Sequence, residues 1–85
     1  MHIAGIVVRT RPQMLDKVQQ QLAALDGIEV HATTDEGNVV VTVESSDRKW
    51  IADKIYELDH APNVLSATMV YETSDYDIEA EGDKA

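Results

Sequence analysis

Apolar and polar residues alternate along four stretches of this chain, and two stretches between them repeat at helical spacing. The most β-prone run is Val39-Val40-Val41-Thr42-Val43, in which every side chain is β-branched and suits a pleated surface better than a helix. Val39, Val41 and Val43 make a wholly apolar face, whereas Val40, Thr42 and Glu44 make a mixed one. That pattern predicts a strand buried on one side and available on the other. Ile3 to Arg9 sets Ala4, Ile6 and Val8 against Ile3, Gly5, Val7 and Arg9. Ile28 to Thr33 sets Ile28, Val30 and Ala32 against Glu29, His31 and Thr33. Asn63 to Glu72 sets Leu65, Ala67, Met69 and Tyr71 against Val64, Ser66, Thr68 and Val70.

Leu15, Val18, Leu22 and Leu25 recur at intervals of three and four, which predicts a helix opened by Pro12 and closed by Gly27 as a left-handed C-cap. Ile51, Ile55 and Leu58, bordered by Trp50 and Tyr56, predict a second helix. Asp47 caps it, and Asp59-His60-Ala61-Pro62 breaks it. Asp35-Glu36-Gly37-Asn38 is a turn signal that joins the second and third strands in a hairpin.

The order strand–helix–strand–strand–helix–strand is the ferredoxin-like split βαβ arrangement of the α+β class. Right-handed crossovers place both helices on one face of a four-stranded antiparallel sheet in the order 4-1-3-2. The helix-facing set is then Ala4, Ile6, Val8, Val30, Val39, Val41, Val43, Leu65, Ala67 and Met69. The open face carries Gly5, Val7, Val40, Thr42, Ser66, Thr68 and Val70, with Glu29, His31 and Glu44 towards the rim. A shallow apolar trough between polar edges suits an amphipathic helix or another sheet. The plainer alternative is a half-exposed sheet with no partner.

Composition narrows this. The 85 residues suffice for one small domain, expected over residues 1–72, and the absence of Phe makes its core thin. Residues 73–85 carry five acids against Lys84, a net −4, which leaves −5 of the total −9 for the rest. This segment is expected to be a disordered acidic tail. So acidic a protein is not suited to nucleic acid but could attract a basic peptide. No apolar stretch is long enough to span a bilayer, no export signal is evident and no Cys is present, so a cytoplasmic location is expected.

Catalytic chemistry is not evident. His2, His31 and His60 fall on three different elements, which argues for surface histidines rather than a metal site. Ser45 and Ser46 have no neighbouring base, and the glycines form no phosphate-cradling loop. Arg9 and Arg11 could meet a phosphate at the first helix, but no supporting polar group is evident. The expectation is a non-enzyme without cofactor or metal.

Three segments carry a resemblance to a known family. These are Ile3-Ala4-Gly5-Ile6-Val7-Val8, the hairpin from Gly27-Ile28-Glu29-Val30-His31-Ala32 to Gly37-Asn38-Val39-Val40-Val41-Thr42-Val43-Glu44, and Asn63-Val64-Leu65-Ser66-Ala67-Thr68-Met69-Val70-Tyr71. Together they resemble the NapD family, over roughly residues 3–72 and in the character of the acidic tail. The resemblance implies a ferredoxin-like fold and a cytoplasmic chaperone for the catalytic subunit of the periplasmic nitrate reductase. It further implies binding of that enzyme's twin-arginine signal peptide as a helix against the sheet, which restrains export until the molybdenum cofactor is inserted. Glu29, Glu44 and Glu72 are candidate partners for the arginines, and the sequence does not choose among them. The alternative function is a small-ligand-binding regulatory module of the same fold that dimerises through its open sheet. A monomer is expected in preference to that dimer.

Overall fold

The computed structural model describes residues 1–74. Strand β1 (His2–Thr10) leads through a 3-10 turn at Pro12–Met14 into helix α1 (Leu15–Ala23), followed by the hairpin β2 (Ile28–Thr34) and β3 (Asn38–Ser45). Helix α2 (Arg48–Asp59) and strand β4 (Val64–Ser74) complete the fold. The sheet order is β2-β3-β1-β4 with every neighbouring pair antiparallel, the split βαβ topology that the element order predicts.

One apolar core holds the layers together. Ala4, Ile6, Val8, Val39, Val41 and Val43 are fully buried on the sheet, where they meet Val18 and Leu22 of α1 and Ile51 and Leu58 of α2. Both helices therefore cover the same sheet face. Asp47 caps α2 as its sequence suggests: its Oδ1 accepts from the Lys49 N–H at 2.9 Å. Thr10, the one buried polar residue of β1, donates its hydroxyl to the Asn63 carbonyl at 2.6 Å. Its N–H donates to the Gly37 carbonyl at 2.8 Å, so the far end of β1 is tied to two turns.

Helix α1 is shorter than its periodicity suggests. It ends at Ala23 with Ala24 as a right-handed cap, and Leu25 lies beyond it, partly exposed. Gly27 does adopt a positive φ of 79°, but in the turn that enters β2 and not as the helix cap. There the Trp50 ring lies so close that a Cβ on Gly27 would stand 2.7 Å from its edge.

Irregular pairing alters the faces of both outer strands. In β2 the register shifts between Val30 and Ala32, so His31 is an extra residue and Ala32 stands opposite Val40 on the open side. In β4 one shift skips Leu65 and another skips Val70. Val64 consequently turns towards the core, while Leu65, expected beneath the helices, is 60% exposed. Met69 stands opposite Ile6 but is also largely exposed. Tyr71, expected to share the face of Ala67 and Met69, is opposite Gly5 on the open side. Strand β4 also runs through Thr73 and Ser74, past the expected domain end at 72; the rest of the expected acidic tail lies outside the described residues.

Candidate functional site: the open face of the sheet

Residues opposite one another in the ladders form rows across the uncovered side of the sheet. One row is Tyr71, Gly5, Thr42 and Glu29, from β4 to β2. The next is Thr68, Val7, Val40 and Ala32, and after it come Ser66, Arg9, Asn38 and Thr34. Before the first row, Ile3 pairs with Glu44 and Thr73. Gly5, Val7, Val40, Thr42, Ser66 and Thr68 thus share one surface, as their strand positions suggest. Val70, at the register shift, is exposed between Met69 and Tyr71 and belongs to none of these rows.

The floor at Gly5 is not open. The Tyr71 ring lies directly over Gly5, so closely that no Cβ would fit beneath it, and Gly5 is buried while the ring remains half exposed itself. The apolar centre is therefore Val7 and Val40, both half-buried, bounded by an aromatic ledge at one end. On the β2 side His31 Nε2 and Thr42 Oγ1 are 2.8 Å apart in a hydrogen bond, which fixes the imidazole on this surface.

The three carboxylates fall into two places. Glu29 and Glu44 line a cavity of about 340 Å³ at one corner of the open face, with Thr42 between them and Met1 and Gly27 at its margin. Residues diagonal across an antiparallel pair have Cα atoms about 7–8 Å apart, within reach of one guanidinium held between two carboxylates. Glu72 stands opposite buried Ala4, on the helix side of the sheet, and its Oε1 accepts from Arg48 Nη2 of α2 at 2.8 Å.

The histidines do not converge. His31 is on the open face, His60 stacks on Tyr56 with ring centroids 4.2 Å apart, and His2 pairs with Ser45 at the start of β1. Among the described residues no group of three or more His, Asp or Glu side chains could hold a metal ion, and no helix is long and apolar enough to cross a membrane. The sequence reading missed Tyr71, because alternation alone placed it under the helices. Its one available signal was Gly5, a residue without a side chain in the middle of a strand, which marks close approach by another group.

The family model described as NapD protein matches residues 1–76. Among solved structures the chain resembles the solution structure of the E. coli Tat proofreading chaperone protein NapD. The match has a TM-score of 0.76 and 24% identity, and it covers 86% of this chain and 78% of that one. At that identity the likeness speaks to the fold, which is the same α+β sheet with two helices. No curated protein matches the chain.

Proposed function

Because the chain belongs to the NapD family, we propose that it is a chaperone for the twin-arginine signal peptide of a periplasmic nitrate reductase catalytic subunit. Family membership supports the chaperone role and, with it, a binding protein rather than an enzyme. The neighbouring E. coli structure, named as a Tat proofreading chaperone, points to export substrates as the class of partner. In this reading the protein works in the cytoplasm as a monomer. It holds the signal peptide, and so restrains export, until the molybdenum cofactor is in place.

One observation carries the peptide assignment: an apolar strip at Val7 and Val40 that ends at a cavity lined by Glu29 and Glu44. A signal peptide of this kind has the complementary order, an arginine pair followed by an apolar segment. Burying about 300 Å² of apolar surface would contribute roughly 7 kcal/mol before ordering costs. Charge-assisted pairs to carboxylates would add on the order of 1 kcal/mol each.

The test is calorimetric titration with the signal peptide and with a variant carrying Gln at both arginines, at low and high salt. The arginine peptide should bind more tightly, and its advantage should shrink as salt screens the pairs over about 8–10 Å. Equal affinity for both peptides at low salt would remove the carboxylates from the site. A shift of the protein to dimer mass, without peptide binding, would remove the chaperone reading altogether.

A further inference from the structure

A second cavity, of about 270 Å³, lies at the opposite end of β1 from the Glu29–Glu44 corner and takes no part in the peptide-binding reading. Arg11, Gln13 and Met14, from the segment that leaves β1, form one wall. Asn63, Val64 and Leu65, at the entry to β4, form the other. Met14 and Val64 both pack against the buried cluster, so the floor of this cavity is on the helix side of the sheet. Hydrogen bonds within the protein hold both walls. The buried Thr10 hydroxyl donates to the Asn63 carbonyl at 2.6 Å, and the Met14 N–H donates to the Arg11 carbonyl at 2.8 Å. The Val64 N–H donates to the Ala61 carbonyl at 3.2 Å, and Gln21 Nε2 of α1 donates to the Pro62 carbonyl at 3.3 Å.

We propose that this cavity binds a carboxylate borne on a compact apolar group. Arg9 and Arg11 are the two arginines that could meet an anion near the first helix, and the structure separates them. Arg9 falls on the open face, opposite Asn38 and Ser66. Arg11 lines the cavity together with the side-chain amides of Gln13 and Asn63, each able to donate a hydrogen bond. A guanidinium matches a carboxylate through two parallel N–H···O bonds.

Charge selects a monoanion. Among the described residues lining the cavity, Arg11 alone is charged. A dianionic phosphoryl group would bring a second negative charge towards Asp35 and Glu36. Their turn packs on the segment that carries Arg11: the Thr10 N–H donates to the Gly37 carbonyl at 2.8 Å, and a Cβ on Gly37 would stand 3.4 Å from the Pro12 nitrogen. The net charge of −9 opposes it further.

The rest of the lining is apolar: Met14, Val64 and Leu65. Leu65 is 60% exposed, and covering it with an apolar ligand body supplies a driving force that a bare anion lacks. The volume falls just below the roughly 300–1,000 Å³ of small-molecule pockets, so the ligand is small. Two sources carry this chemistry, a free short carboxylic acid and the carboxyl terminus of a chain that ends in an apolar residue.

The experiment titrates the full chain, isotopically labelled, with isocaproate and with N-acetyl-leucine, each compared with its neutral amide, and with inorganic phosphate. Both acids should give saturable shifts in the side-chain amides of Gln13 and Asn63, the Arg11 Nε–H and the Leu65 methyls, and the neutral amides should not. Arg11→Gln, at an exposed position, should weaken binding of the acids about tenfold and leave the rest of the spectrum in place. Tighter binding of N-acetyl-leucine assigns the site to a chain terminus, and tighter binding of isocaproate assigns it to a free acid. Equal binding of acid and amide, undiminished binding by Arg11→Gln, tighter binding of phosphate than of either acid, or no saturable shift at these residues overturns the proposal. Each of those results leaves the signal-peptide titration standing as a separate measurement.

Discussion

Replacing Gly5 by Ala should have opposite effects in two backgrounds. In the native protein the new Cβ would fall within the Tyr71 ring. Tyr71 is 52% exposed, so about half its side chain is covered. Full burial of an aromatic residue covers about 150–250 Å², which puts the covered part near ~100 Å² and its contribution near ~2.5 kcal/mol. Displacing the ring forfeits much of that and strains neighbouring groups, so Gly5→Ala should cost about 1–3 kcal/mol. Once Tyr71 is Ala, the space above residue 5 is empty. Gly in a strand interior is less stable than Ala by roughly 0.5–1 kcal/mol, so Gly5→Ala should then stabilise by about that amount. The assay is a double-mutant cycle from urea unfolding, which suits a small domain of this kind. Equal destabilisation by Gly5→Ala in both backgrounds would show that Tyr71 does not rest on Gly5.

Four further outcomes are expected from the packing and the site. Ile51→Ala empties a fully buried position between α2 and the sheet and should lose about 2–4 kcal/mol in denaturant titration. Thr68→Arg, exposed opposite Val7, should leave the unfolding midpoint nearly unchanged but abolish calorimetric peptide binding through steric and charge conflict. Glu44→Gln should weaken binding of the arginine peptide and flatten its salt dependence, whereas Glu72→Gln, on the Arg48 side of the sheet, should do neither. Removing residues 75–85 deletes five acids and Lys84; stopped-flow mixing should show slower association with the preference for arginine over Gln retained.

The central strands were legible because nothing interrupts their period of two. Ala4, Ile6 and Val8 and the three valines of β3 pair in unbroken register, so reading every second residue finds the buried face. The α2 cap was legible for a local reason, a short acidic side chain directly before an apolar repeat. The outer strands were not, because each holds extra residues that alternation cannot detect. Skipping Val70 reverses the sense of everything beyond it, which sends Tyr71 to the open face and Glu72 to Arg48. The same effect at His31 turns Ala32 away from the core, while His31 itself reaches Thr42 on the open face where alternation puts it. The two carboxylates of the acidic cavity were visible at the rim and the turn signal gave the pairing of β2 with β3; their joint lining depends on the register of that pair, which the extra residue at His31 sets and no local pattern reports.

Strand β4 is an outer edge of the sheet, and Asp59, from the last turn of α2, accepts a hydrogen bond from its Ala67 N–H at 2.9 Å. That contact, with the two irregular steps in the strand, interrupts the even row of donors and acceptors that an incoming strand would need. Contact through the face has different kinetics from contact through the edge. A strand added to an edge is held by a cooperative ladder that must open bond after bond, whereas a helix on the face is held by separate side-chain contacts, each free to break. A holder whose cargo must later pass to another machine benefits from the second mode, because dissociation then needs no unzipping of backbone and the cargo leaves with its own hydrogen bonds intact.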